Sequence, residues 1–307
     1  MRPERQHPRP REDRVSLPGG VSIAVRWWTT TATPATPPFL LVHGLASNAR
    51  MWDAAAAELA AAGHEVVAVD LRAHGRSPDT ADGHDTATAA ADLAELIDAL
   101  GLEPSVAAGQ SWGGNVVLEL AAAHGRVAAV ALVDGGWIRL ADRYPDFASC
   151  WAALAPPALE REAPGEVERR LRERTRAWPA ASVDGLVANL VRQPDGTVRN
   201  RLPRSAHRQI LRSLYEAEPA SRYPHVHVPA ALLVAAPAAV NGSAPALPRA
   251  VEEARDALAD AVVVAYPGAG HDLHAAQPQR TAADLRALAA RADRTSHKGV
   301  DAGAVGR

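Results

Sequence analysis

The sequence holds a single cysteine, Cys150, in 307 residues, so no internal disulfide can form. That fits a reducing compartment. No reactive motif surrounds the thiol, which reads as an incidental or buried side chain and not as a nucleophile. An excess of one charge is also missing. The 33 Lys and Arg residues nearly cancel 35 Asp and Glu, leaving no global field to steer the chain toward nucleic acid or anionic lipid. No run approaches the ~18 consecutive apolar residues of a membrane span, because Ala-rich stretches such as AAAAELAAAGHE are broken by charge. The opening MRPERQHPRPREDR is basic and Pro-rich and lacks the apolar centre of a secretory signal. These absences lead to the expectation of a cytoplasmic, soluble protein with no nucleic-acid or membrane partner.

What is present is a large apolar fraction, 47%, enough for a substantial core. Residues 1–12 and 294–307, rich in Arg, Pro, Gly and polar side chains, are expected to be disordered ends. Between them, short apolar runs alternate with helical stretches: VSIAVRWW, PFLLVH, HEVVAVD, SVAAGQ, VAAVALVD, PAALLVAA and AVVVAYP read as strands. Continuous Val/Ala/Leu runs mean strands buried on both faces. With helices between them, the pattern predicts an α/β fold with a mostly parallel, doubly covered sheet, whose working groups sit beyond the carboxyl ends of the strands. The alternation stops over residues 137–226. That segment reads as mainly helical, with Glu166–Arg170 and Glu168–Arg172 pairs on a solvated face and a hairpin around Pro194-Asp195-Gly196. It holds seven of the chain's 13 aromatics, Trp137 and Trp151 among them. An insertion at the catalytic edge reads as a lid whose aromatics either line an apolar substrate pocket or pack a small core of their own.

Gly109-Gln110-Ser111-Trp112-Gly113 matches G-x-S-x-G where a buried strand runs into a helix. In that context the motif has mechanical meaning: the tight turn presents the serine hydroxyl at the sheet edge. The alternative is a serine that merely caps a helix. His43-Gly44-Leu45-Ala46 follows an earlier strand, and the N–H groups of Leu45 and Trp112 together would form an oxyanion hole, each donor being worth about 3–4 kcal/mol in the transition state. His43 itself reads as a structural brace. After the last strand, PGAGHD carries His271 to the same edge, where an imidazole can take the serine proton and return it to a leaving group. His274 competes for that role from further into the next helix.

The HG turn, DLRAHGRS (70–77), GQSWGG and GAGHD occur in the order and spacing of the α/β-hydrolase superfamily, which the chain resembles over roughly residues 14–136 and 227–292. The resemblance implies an α/β-hydrolase core (13–136 and 227–293) with a mainly helical lid (137–226) inserted after the sixth strand. It further implies Ser111 as nucleophile, His271 as base and then acid, and a bracing role for Asp70, His74, Arg76 and Ser77. The family's triad acid usually follows the strand after the lid, but here that segment reads LLVAAPAAVNGS, with Ala239 at the expected position and only the neutral amide Asn241 nearby. The replacement indicated is Asp134, at the end of the strand before the lid. Another lid or loop acid, or no acid at all, are the alternatives; Asp272 adjoins His271 too closely for the required geometry.

The expected function is therefore serine hydrolysis of an ester or related acyl bond in a small molecule, of the carboxylesterase type. Trp137 and Trp151 are candidate substrate contacts. No ligand cluster in the sequence implies a metal or an organic cofactor. A catalytically degenerate binding protein, or carbon–carbon cleavage on the same triad, are the competing readings.

Overall fold

The structure, a computed structural model, describes residues 9–29, 35–238 and 247–304. Strands β1 (Arg11–Ser16), β2 (Ser22–Trp28), β3 (Ala35–Val42), β4 (His64–Asp70), β5 (Ser105–Gln110) and β6 (Val127–Val133) precede residues 137–226. Strands β9 (Ala230–Ala236) and β10 (Ala261–Pro267) follow them. Within that interval lie a short hairpin, β7 (Leu190–Arg192) and β8 (Val198–Asn200), around the predicted turn, and helices α4 (Phe147–Leu154), α5 (Glu166–Arg174), α6 (Ala180–Val187) and α7 (Arg204–Glu216). The eight other strands form one sheet in the order β1-β2-β4-β3-β5-β6-β9-β10, antiparallel only at β1·β2 and β2·β4.

The strands read as unbroken apolar runs because both of their faces are covered. Leu40, Val42, Val67 and Val69 point into one core, beneath α2 (Thr86–Leu100) and α3 (Trp112–Ala123). Their neighbours Phe39, Leu41, Val66 and Ala68 point into the other, beneath α1 (Asp53–Ala61) and α10 (Pro278–Ala304). The two-residue period of a strand sends alternate side chains to opposite faces, so a sheet buried on both sides has no polar alternation to show. Helix α2 is closed at both ends by local chemistry. The Asp85 carboxylate accepts from Thr88 N–H at its start, and Gly101, at φ 65°, ends it in the left-handed conformation. Helix α8 (Arg249–Ala257) separates β9 from β10, and a single-turn helix, α9 (Leu273–Ala276), precedes α10.

Two ends differ from the sequence-based expectation. The charged stretch from Arg11 forms edge strand β1, held by ion pairs from Glu12 to Arg26 and Arg76 and by Arg14 Nη2 donating to the Arg76 carbonyl at 2.7 Å. An exposed edge strand needs few apolar residues, so it leaves little pattern to read. Residues 1–8, also expected to be disordered, lie outside the described residues. At the other end α10 continues to Ala304, past residue 294. Among the described residues no helix is long and apolar enough to cross a membrane.

The loop after β4 is braced as the DLRAHGRS segment suggests. Buried Asp70 accepts from Ala49 N–H at 2.7 Å and from Arg76 N–H at 2.8 Å, while Ser77 Oγ donates to the Asp70 carbonyl and accepts from Ala24 N–H. Replacing Asp70 with Ala strips two backbone N–H groups of a charged acceptor, and it is expected to lower the unfolding free energy by about 3 kcal/mol in urea titrations.

Candidate active site

Ser111 ends β5 and opens α3 with φ 55° and ψ −122°, and its hydroxyl makes no capping bond to the helix. That disposes of the capping alternative: a strained left-handed serine gives up helix stabilisation and gains presentation of its hydroxyl. The turn is fixed by Ser111 N–H donating to the Val133 carbonyl at 2.9 Å. The turn after β3 lies against it, for a Cβ on Gly44 would fall 2.9 Å from Ser111 Cβ. Trp112 is the first residue of α3, so its N–H has no intrahelical acceptor. Leu45 N–H belongs to the adjoining turn, whose next residue, Ala46, has φ 56°.

His271 lies in the loop after β10, and its Nδ1 is 2.6 Å from Asp134 Oδ2. The other carboxylate oxygen of Asp134 accepts from Ala235 N–H at 3.0 Å, and Gln110 Nε2 donates to the His271 carbonyl at 3.2 Å. Asp134 follows β6 and Ser111 follows the neighbouring β5, so the three side chains share one sheet edge. Among the described residues Ser111 Oγ and His271 Nε2 do not form a hydrogen bond. In unliganded sites this contact is often long and closes with substrate. Ala239 and Asn241 lie outside the described residues.

The competing histidine is placed quite differently. His274 is buried against Trp52, with ring centroids 4.3 Å apart, and neither ring nitrogen has a hydrogen-bond partner among the described residues. His43 is a brace: Nδ1 donates to the Gly44 carbonyl at 2.7 Å and Nε2 accepts from Leu71 N–H at 3.1 Å. His74 repeats the arrangement, donating to the Arg72 carbonyl and accepting from Ala46 N–H at 3.2 Å. Two neutral imidazoles thus hold the Gly44–Ala46 turn from below.

A profile of the alpha/beta hydrolase family matches residues 39–284. The chain belongs to that family. A non-heme haloperoxidase of Rhodococcus erythropolis is 39% identical over 98 residues, covering 31% of this chain and 36% of that protein. The bifunctional esterase/perhydrolase DCH of Acinetobacter calcoaceticus is 35% identical over 103 residues, covering 34% and 36%. The chain spans about two fifths of the length of the curated relatives it matches. Among solved structures, E-2-(acetamidomethylene)succinate hydrolase superposes with a TM-score of 0.72 at 22% identity, over 91% of this chain and 98% of that one, a likeness of fold.

In this α/β hydrolase six of the seven aromatics of residues 137–226 divide between two cores. Phe147, Tyr144, Trp151 and Tyr215 pack around Cys150, whereas Trp137 and Tyr223 pack on the main core. Trp137 and Trp151, paired as substrate contacts by sequence, are therefore not brought into one cluster. Leu45 belongs to both and joins the Gly44–Ala46 turn to the small core. A cavity of about 800 Å³ lies between the start of α2, α3 and α7, and its walls include none of Ser111, Asp134 or His271.

Electrostatics separate the histidines further. The Asp134 hydrogen bond raises His271 above the ordinary imidazole value, against the opposing effect of burial. Burial pushes His43 down to about 4 and His274 down to about 3, and it takes His74 well below its usual value. These three stay neutral in the folded protein while the unfolded chain takes up protons below about pH 6.5. Stability is therefore lost as pH falls from about 6.5 toward 4, by on the order of 2 kcal/mol each for His43 and His274 at pH 5. Urea titrations at pH 7 and pH 5 test this; His274→Leu is expected to shrink the difference by about one imidazole's share, and an unchanged difference would contradict it.

Proposed function

We propose that the protein is a serine hydrolase that cleaves esters or related acyl bonds through an acyl-enzyme. The observation that carries this reading is the 2.6 Å contact between His271 Nδ1 and Asp134 Oδ2 at the sheet edge where Ser111 is presented. It supplies the carboxylate that the segment after β9 lacks, and a base so oriented is what a degenerate binding protein has no use for.

Ser111 Oγ attacks the acyl carbon while His271 Nε2 takes its proton, and the charge that develops on the imidazole is balanced by Asp134. Leu45 and Trp112 N–H groups receive the oxyanion. His271 then returns the proton to the leaving alkoxide, and water, activated by the same imidazole, releases the acid. Leu45, in the turn after β3, is partly buried against the small core of Phe147, Cys150 and Leu211, and an apolar side chain at that point favours esters of small to medium apolar acids.

Fluorophosphonate labelling tests the reading without knowledge of the substrate. Wild type is expected to label rapidly and Ser111→Ala not at all; a folded wild type that resists labelling would overturn the proposal. Asp134→Asn is expected to cut ester turnover by about a hundredfold or more, since the equivalent change in a well-studied triad costs about 10⁴. Its pH profile carries a second expectation. His271 must be neutral to act as base, and Asp134 raises its pKa, so activity in wild type falls on the acid side at a pH above the ordinary imidazole value. Asp134→Asn is expected to move that limb to lower pH, and a limb that stays in place would count against the assignment.

A further inference from the structure

Asn115 lies on the first turn of α3, four residues after Ser111, and is buried. Its amide is spent on the segment that follows Asp134. Oδ1 accepts from Gly136 N–H at 3.0 Å and from Ile138 N–H at 3.3 Å, and Nδ2 donates to the Ile138 carbonyl at 2.8 Å. Asp134 needs such support. It stands at φ 45°, a conformation that costs a residue with a β-carbon about 1–2 kcal/mol. On its upstream side the sheet anchors it, through Asp134 N–H donating to the Leu233 carbonyl at 2.8 Å. Downstream, the anchors are Asn115 and a longer bond from Tyr223 Oη to the Gly136 carbonyl at 3.3 Å. The intervening Gly135 is pressed onto the nucleophile's own backbone, where a Cβ would fall 2.0 Å from the Ser111 carbonyl oxygen.

We infer that Asn115 is a positioning residue, which locks the turn after Asp134 to the nucleophile helix and so sets the acid in register with His271. The inference rests on the reading of Asp134 as the triad acid. Its physical content is that one rigid element, α3, fixes both the serine at its cap and, four residues on, the turn that delivers the carboxylate. Nucleophile and acid then keep their relative placement whatever the segment after β9 does. A misplacement of about 1 Å in such a constellation costs roughly a hundredfold in rate, and a single side chain with three hydrogen bonds to one turn can prevent it.

The test compares Asn115→Ala, Asn115→Asp and Asp134→Asn in the 307-residue chain. The readouts are kcat and KM on a p-nitrophenyl ester, the acid limb of the pH profile, and the low-field proton resonance of a His271 Nδ1–H bonded to a carboxylate. Asn115→Ala is expected to lower kcat by about ten- to a hundredfold with KM within about twofold, to move the acid limb to lower pH, and to weaken the low-field resonance. Asn115→Asp keeps the two accepted bonds and is expected to recover part of each loss. A merely structural role would lower thermal stability and leave limb and resonance where they are, which would overturn the inference. If the alanine variant does not fold, Asn115→Ser, too short to reach Gly136 and Ile138, takes its place with the same readouts. The two readings fail separately. A resonance that survives Asp134→Asn sinks the acid assignment, whereas one that is lost in Asp134→Asn but kept in Asn115→Ala sinks only the role of Asn115.

Discussion

The carbonyl of Ser111 leaves no room for a side chain at residue 135, and the Cβ of Ser111 leaves none at residue 44. Three loops, after β3, β5 and β6, are thereby packed backbone to backbone, and the chemistry of the site depends on that contact. It brings the Leu45 turn beside the serine, sets the Asp134 turn behind it, and makes the positive φ of Ser111 one arrangement shared by all three loops. Strain at a single residue of about 1–3 kcal/mol survives only where its surroundings over-determine it. Here the surroundings include the Ser111 N–H bond to Val133, the paired histidines under the Gly44–Ala46 turn, and the Asn115 amide.

Strand order explains how Asp134 reaches His271. In the sheet β6 lies between β5 and β9, and β10 lies beyond β9. A carboxylate at the end of β6 is therefore one strand from the serine and two from the strand that carries the histidine loop. Asp134 closes the second gap by leaning on β9, giving one oxygen to Ala235 N–H and the other to His271. The N–H bond at Ala235 fixes the rotation of the carboxylate, and the remaining oxygen has one direction left in which to point. An acid on the loop after β9 would need less reach, but an acid on β6 gains a stiffer mount, because its own N–H is tied into the sheet at Leu233.

Much of this was legible in the residues. Doubly buried strands announce themselves as unbroken apolar runs, and G-x-S-x-G between a strand and a helix fixes an element, a turn and a serine together. Other parts left no such mark. Edge strand β1 is written in charges, so its pairing depends on Glu12 meeting Arg26 and Arg76 across the chain, which no local pattern encodes. The ion pairs within residues 137–226 follow contacts more than spacing. Glu168 does meet Arg172, but Arg170 turns to Glu162 and Glu166 to Arg169. Asn115 was invisible for a related reason: nothing in the sequence shows that a helical asparagine bonds to the turn after Asp134.

The same logic ties residues 137–226 to the two candidate oxyanion donors. Trp112 donates its indole N–H to Thr86 Oγ1 at 3.1 Å, and Thr86 shares a 3.0 Å bond with Ser213 Oγ on α7. Leu45, from the turn after β3, packs into the small core of Phe147, Cys150 and Leu211, the last also on α7. Both candidate oxyanion donors thus stand one or two contacts from a single helix, α7, by a polar path on one side and an apolar path on the other. A displacement of α7 would act on both donors together, because an N–H dipole must point at the developing charge to stabilise it. Side chains packed there for bulk alone would tolerate exchange among apolar residues. The Thr86–Ser213 link would not, since each hydroxyl gives direction to the other and, through Trp112, to the first turn of α3.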